Sequence, residues 1–177
     1  MDLRREFAAR LTQTVIGATS ILNGAFADML AGQAPIVLKS AKKILYWGDA
    51  DQQLDFTSKD DVARYTAAAA LDASTRRYLR IAGDVVTPRS LSKTMTTLTG
   101  KRFGLLRPGD LAVLNTIITV MKTLAPQRES VFPIWRGMQY RREMSSGARK
   151  LRHLDNDRYG AMRWTDARDV LAAPTST

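Results

Sequence analysis

The chain contains no cysteine in its 177 residues. That single absence excludes disulfides, thiolate nucleophiles and cysteine-held zinc. It has one histidine, His153, so a zinc site would have to be built mainly from carboxylates, an uncommon ligand set. No apolar run approaches the ~20 residues that span a bilayer. The opening MDLRREFAARLTQ is charged where a secretory signal needs an apolar stretch. A cytoplasmic setting without membrane contact is the expectation. The 11 glycines matter for their spacing, since no two of them form a G-x-G. The turn that lets a backbone approach a pyrophosphate is therefore missing from these residues. Gly100 and Lys101 are followed by Arg102, which does not make a P-loop.

What is present starts with charge: 27 Lys and Arg against 17 Asp and Glu, a formal net of +10. Such a balance suits phosphate-bearing partners, but the positive residues are scattered except between Phe132 and Trp164. That segment, FPIWRGMQYRREMSSGARKLRHLDNDRYGAMRW, combines two Trp, two Tyr, three Met and the only His with a dense series of Arg. Basic residues interleaved with aromatics can grip single-stranded nucleic acid. No nucleic-acid motif is matched, however, and residues 132–164 read as an ordered loop packed by its own aromatics. No nucleic-acid partner is expected. In GDADQQLD the residues Asp49, Asp51 and Asp55 hint at a calcium loop. Gln53 and Leu54 stand where a ligand and the turn glycine belong, so a polar turn and no metal site are expected. His153 lies beside Asp155 and Asp157 without a nucleophile to accompany it, and reads as a structural histidine. None of the five tyrosines has a lysine four positions on. The catalytic residue is left unassigned.

The pattern of apolar residues sets the elements. Leu3, Phe7, Ala8 and Leu11 predict an amphipathic helix over Asp2 to Gln13. TVIGATSIL predicts a buried strand ended by an Asn23-Gly24 turn. FADMLAG predicts a helical turn closed by Gly32, and KILYWGDADQQLDFTS two short strands about a polar turn. Ser58 predicts the cap of a helix through KDDVARYTAAAALD, with acids in its first turn suited to the helix dipole. RRYLRIAGD reads as a strand ending at Gly83. Thr87 and Pro88 predict an N-cap and first-turn proline, with Gly100 closing that helix. KRFGLLR predicts a strand and GDLAVLNTIITVMKTLAP an apolar helix stopped by Pro126. Thr165 is expected to cap a last helix, DARDVLAA, stopped by Pro174. Strand and helix alternate, which predicts one α/β domain over residues 1–177 with at least part of a parallel sheet.

Several blocks carry a resemblance: YWGDADQQLDFTSKDDVARYTAAAALD, LRIAGD, TGKRF, FPIWRGMQY and LDNDRYGAMRWTDARDVLAA. Together they resemble the C-terminal part of NmrA-like proteins, the atypical short-chain dehydrogenases/reductases that include the isoflavone-reductase-like enzymes. The resemblance implies the C-terminal part of a Rossmann-type NAD(P)-binding fold with its substrate-binding subdomain, the N-terminal glycine-rich half being absent. It implies NAD(P) as cofactor and a small-molecule substrate. Asn23, Gly24 and Phe26 become candidates for the nicotinamide side of a cleft. Trp135, Gln139, Tyr140 and Tyr159 become candidates for the substrate cap. Each also has a packing alternative: Gly24 as a positive-φ turn, Phe26 as core, Trp135 and Tyr140 as packing for the C-terminal segment. Met138 and Met144 read as gap-filling core, and Arg158 as the ion-pair partner of Asp155. The implied function is an oxidoreductase-type protein unable to hold the dinucleotide alone. A non-catalytic NAD(P)-linked binding or regulatory protein, or an inactive truncated remnant, are the alternatives. Without the remaining strands a parallel edge stays open, to be completed by a homodimer or a partner chain.

Overall fold

The computed structural model describes residues 3–30, 36–124 and 133–173. In chain order, helix α1 (Leu3–Thr12) leads to β1 (Ser20–Leu22) and β2 (Ala25–Phe26), followed by a 3-10 turn at Ala27–Leu30. Strands β3 (Val37–Leu38), β4 (Lys43–Leu45) and β5 (Leu54–Thr57) precede α2 (Lys59–Ala70). Strands β6 (Tyr78–Arg80) and β7 (Asp84–Val86) precede α3 (Pro88–Thr99) and β8 (Gly104–Leu106). Three helices complete the chain: α4 (Leu111–Leu124), α5 (Ile134–Ser145) and α6 (Ala167–Ala172).

Local chemistry explains the best-defined helices. Ser58 Oγ accepts from Asp61 N at 3.0 Å, and Asp60 and Asp61 place negative charge in the first turn of α2. Thr87 and Ser90 form a reciprocal capping box at α3, with bonds of 3.0 and 2.9 Å, and Pro88 occupies the first turn. Gly100 ends α3 at φ 65°, where a side chain would meet the left-handed penalty.

The strands form three small sheets. β1 pairs in parallel with β6. β2 runs parallel to β5, which is antiparallel to β7. β4 lies between antiparallel β3 and parallel β8. The largest core cluster includes Leu30, Ile44, Phe56, Leu91, Met95 and Phe103, bringing the second and third sheets against α3 and α6. A second cluster joins Tyr65, Ala69, Leu79 and Ile81 to Tyr159, Met162 and Trp164. The third places Trp47 against Leu114 and Ile118 of α4, with Met138 alongside. Met144 packs on the first cluster.

Three expectations change. Only Ser20–Leu22 of TVIGATSIL is strand, and Val15 and Ile16 are exposed rather than buried. A β-branched run extends only as far as a ladder partner does, and β6 pairs with three residues. The cap of α6 is Asp166, whose Oδ1 accepts from Asp169 N at 2.7 Å. Thr165 is engaged elsewhere, its N–H donating to Asp61 Oδ2 at 2.9 Å. Within 132–164, residues Ile134–Ser145 are helical, not loop. Helix α5 begins after Pro133 with no side-chain cap bond, so the usual start signal is missing. Gly32, Pro126, Phe132 and Pro174 lie outside the described residues.

Candidate functional site at the end of strand β1

The chain leaves β1 at Leu22 and turns through Asn23 and Gly24 into β2. Gly24 has φ 65°, and a Cβ there would stand 2.6 Å from the Asp55 carbonyl oxygen. Glycine is needed both for the angle and for the close approach to β5. The turn is pinned from below, where the fully buried Thr57 donates from Oγ1 to Asn23 O at 2.7 Å. Gly83 N donates to the same Thr57 oxygen at 3.3 Å. It is pinned from α5, whose Tyr140 hydroxyl donates to Gly24 O at 3.2 Å. Burial raises the Tyr140 pKa above the ordinary phenol value, so the hydroxyl keeps its proton. Asn23 Nδ2 is buried without a hydrogen-bond partner, and it is the one such side-chain N or O atom among the described residues. An amide donor in that state costs about 1–3 kcal/mol, which is the reason to look for a ligand oxygen.

Asp55 sits beneath Gly24 with its side chain 2% exposed. Lys150 Nζ meets Oδ1 at 2.6 Å and Leu151 N donates to Oδ2 at 2.7 Å. This buried pair ties the segment after α5 to β5, directly under the turn. In the sequence Asp55 falls within the candidate calcium loop, and Lys150 carries no signal that sets it apart. An aspartate inside the apolar run LDFT does signal a buried cation partner, but nothing local says which of the 27 basic residues supplies it. The other aspartates of that loop go elsewhere: Asp49 Oδ1 accepts from Asp51 N at 2.9 Å, and Asp51 pairs with Arg89 at 2.7 Å.

The remaining candidates separate. Phe26 is 41% exposed, which overturns its reading as core. Trp135 lies on α5 with the Lys122 amine 5.5 Å and the Arg136 guanidinium 5.4 Å from its ring centre. Gln139 is half-buried on the same helix. Tyr159 does not join them. It packs edge-on against Tyr65 at 5.0 Å, and its hydroxyl contacts Thr75 Oγ1 at 2.6 Å and Asp72 Oδ2 at 3.1 Å. Arg158 pairs with Asp72 at 2.8 Å rather than with Asp155. Asp155 is engaged by Arg76 at 3.2 Å and by Arg80 N at 2.9 Å. His153 is exposed, at φ 56°. A cavity of about 20 Å³ is lined by Met29, Leu45, Trp47 and Leu54 together with Arg141 and Met144 of α5. Burial lowers the Arg141 pKa from its ordinary value. No cluster of metal-binding side chains occurs among the described residues.

The mixed α/β fold matches part of the fold of solved Rossmann-like reductase and epimerase structures. Solved structures that share it include isoflavone reductase, AtPrR2 with NADP+ and (+)pinoresinol, and a nucleoside-diphosphate-sugar epimerase from Staphylococcus aureus. Isoflavone reductase superposes with a TM-score of 0.68 at 17% identity, over 96% of this chain and 55% of its own. The AtPrR2 complex gives 0.68 at 17%, over 97% and 55%. The epimerase gives 0.66 at 17%, over 95% and 57%. The chain thus spans little more than half the length of the structures it resembles. No protein-family model matches it, and no curated protein matches it in sequence.

Proposed function

We propose that the chain is the substrate-side part of an NAD(P)-dependent oxidoreductase acting on a small molecule in the cytoplasm. Asn23, Gly24 and Phe26 would face the nicotinamide, with Trp135, Gln139 and Tyr140 of α5 covering the substrate. Tyr159, its hydroxyl already engaged, would brace the covering segment from behind. The carrying observation is the unpartnered Asn23 Nδ2 at the carboxyl end of a parallel strand. Open α/β sheets bind ligands in the crevice outside those ends, and a carboxamide or carbonyl oxygen there would satisfy the buried donor. The fit is partial. These residues carry no G-x-G turn for the pyrophosphate, so this polypeptide would hold the nicotinamide end only, and the sheet would be completed at β1 by a second copy or a partner chain.

When bound, the cofactor supplies hydride chemistry. The chain's own residues orient the two reactants: Asn23 donates a hydrogen bond, Tyr140 fixes Gly24, and the Lys150–Asp55 pair holds β5 rigid beneath. A second reading, a non-catalytic NAD(P)-linked binding protein, is favoured by the engagement of Lys150 with Asp55 and the exposed position of His153. The Lys150 amine is committed to that ion pair. The test of the site is an NMR titration with nicotinamide mononucleotide. The Asn23 side-chain amide and the Gly24 N–H should shift, and Asn23→Ala should abolish the response. Unmoved signals at millimolar ligand would refute the assignment of the turn. Calorimetry with NADPH and NADH should show weak or no binding, and tight stoichiometric capture would refute the claim that the dinucleotide needs further residues.

A further inference from the structure

Strand β8 is an edge: β4 pairs with one side of it, and no other described strand pairs with it. Gly104 N donates to Lys42 O at 2.9 Å and Leu106 O accepts from Tyr46 N at 3.0 Å, so the N–H and C=O of Leu105 face away from β4. Two residues earlier on that side, α3 covers the edge. Thr96 Oγ1 accepts from Phe103 N at 3.0 Å, and Ser92 Oγ donates to Phe103 O at 2.7 Å. No side chain among the described residues covers Leu105 in this way. Leu105 lines a groove of about 700 Å³ together with Lys93, Thr96 and Thr97 of α3 and with Arg102 and Gly104.

The same edge is cationic. Residues 29–48 and 85–109 contain no Asp or Glu, and the parallel β4–β8 pair lays the two stretches side by side. Lys43, Lys93, Lys101, Arg102 and Arg107 are exposed, and none takes part in an ion pair among the described residues. Lys43 Nζ lies 2.7 Å from where a Gly104 Cβ would stand, so the missing side chain lets this ammonium cross from β4 over β8. Asp51, whose charge Lys93 also feels, is already held by Arg89 at 2.7 Å. Cations along an edge keep like-charged strands from pairing there, and a second copy of this chain carries the same net +10. For a strand of opposite charge the exclusion reverses. We propose that the β8 edge takes an extended acidic segment of a partner protein, its main chain bonding Leu105 and its carboxylates meeting Arg102, Lys93 and Lys43. A phosphate surface would use the charge but leave the Leu105 pair unmade, and that pair decides for a peptide. The segment binds whether or not the chain takes a nicotinamide.

The experiment uses the pentapeptide acetyl-Glu-Val-Glu-Val-Glu-amide, its Gln-Val-Gln-Val-Gln counterpart, and the acidic peptide N-methylated at alternate amides, one form for each register. Binding is followed by NMR, with hydrogen exchange read at the Leu105 N–H. The acidic peptide should slow that exchange and bind about tenfold tighter than the neutral one, as two or three exposed ion pairs supply. Its affinity should fall as salt rises, and one methylated form should lose the protection. Arg102→Gln with Lys93→Gln, both at exposed positions, should bring the acidic peptide down toward the neutral one, whereas Arg102→Lys should keep most of the preference. Equal affinities for the two peptides, unchanged exchange at Leu105, or both methylated forms binding as the parent does would overturn the proposal. So would displacement of the acidic peptide by phosphatidylserine vesicles or oligouridylate at lower concentration, which would mark the cations as a phosphate surface.

Discussion

At the scale of single residues, two glycines with the same backbone angle separate conformation from contact. Gly24 and Gly100 both have φ 65°. Around Gly100 no atom lies within 4 Å of an added Cβ, whereas at Gly24 the Asp55 carbonyl oxygen and Cβ stand at 2.6 and 2.7 Å. An L-residue in the left-handed region costs roughly 1–2 kcal/mol, and that is the whole expected effect of Gly100→Ala. Gly24→Ala must also push the β5 backbone, beneath which the Lys150–Asp55 pair is buried. It should cost at least about twice as much and should disturb the Asn23 signals that report the site. Urea unfolding of the two variants checks this, and equal losses would mean that the turn does not rest on β5. Asp55 also shows why part of the site escapes sequence reading. Its charge inside a strand was visible, but its partner Lys150 lies 95 residues away. Arg158 likewise prefers Asp72, 86 residues distant, to Asp155 only three positions before it. Ion pairs follow the folded path, which spacing does not reveal.

At the scale of elements, the segment from Leu151 to Ala167 acts as a strap. Asp155 N donates to Arg80 O at 2.6 Å, and Arg80 N returns a bond to Asp155 Oδ2 at 2.9 Å. Asn156 bonds both Ala82 N and Ala82 O, at 3.1 and 2.7 Å. Thr165 N and Ala167 N then reach Asp61 and Asp84. The middle of the strap is held by Asp72, which accepts from Ser74 Oγ at 2.6 Å, Arg158 at 2.8 Å and Tyr159 at 3.1 Å. The Ser74 hydroxyl, then Arg158, hold its carboxyl well below the usual carboxylate range. At Asp61 burial alone would raise the pKa, and bonds from Thr165, Ser58 and Arg64 outweigh it, so the net shift is also downward. A depressed folded pKa adds stability that is present above the unfolded carboxylate value of about 3.9 and is lost as pH falls through the folded value. The thermal midpoint should therefore decline below about pH 4. Asp72→Asn should lower it at neutral pH and flatten part of the acid decline. A variant with the parent's acid slope would show that Asp72 does not supply it. Tyr65, pushed up to about 12 chiefly by burial, stays neutral throughout. The elements legible in advance were those fixed locally, α2 by Ser58 and α3 by Thr87, Pro88 and Gly100. The length of β1 and the existence of α5 were not legible, because β1 begins only where β6 begins to pair and α5 lacks a side-chain cap.

At the scale of the whole molecule, the β1–β6 sheet is closed on one side only. Beyond β6, Asp155 and Asn156 bond the backbone of Arg80 and Ala82 in place of a neighbouring strand. Across β1, no other described strand pairs. Ser20 N donates to Arg77 O and Leu22 O accepts from Ile81 N, so the N–H and C=O of Ile21 face outward. The approach to that edge is apolar, with Val15 and Ile16 wholly or largely exposed and Leu22 39% exposed. A two-stranded parallel sheet with a free edge invites another strand. Against it stands a net charge of +10, which repels a second copy over a screening length of about 10 Å at 0.1 M salt. Association through surface ion pairs would weaken as salt rises, whereas edge pairing opposed by like charge strengthens, so the two can be told apart. The purified chain should self-associate with rising concentration, more strongly as salt increases, because screening removes the repulsion and leaves the apolar edge. Leu22→Lys puts a charge on the edge strand at an exposed position and should suppress association without lowering the thermal midpoint by more than about 1 kcal/mol equivalent. Sedimentation velocity across concentration and salt decides the matter. A chain that remains monomeric at high salt, or a lysine variant that associates as the parent does, would show that β1 is not a surface awaiting a strand.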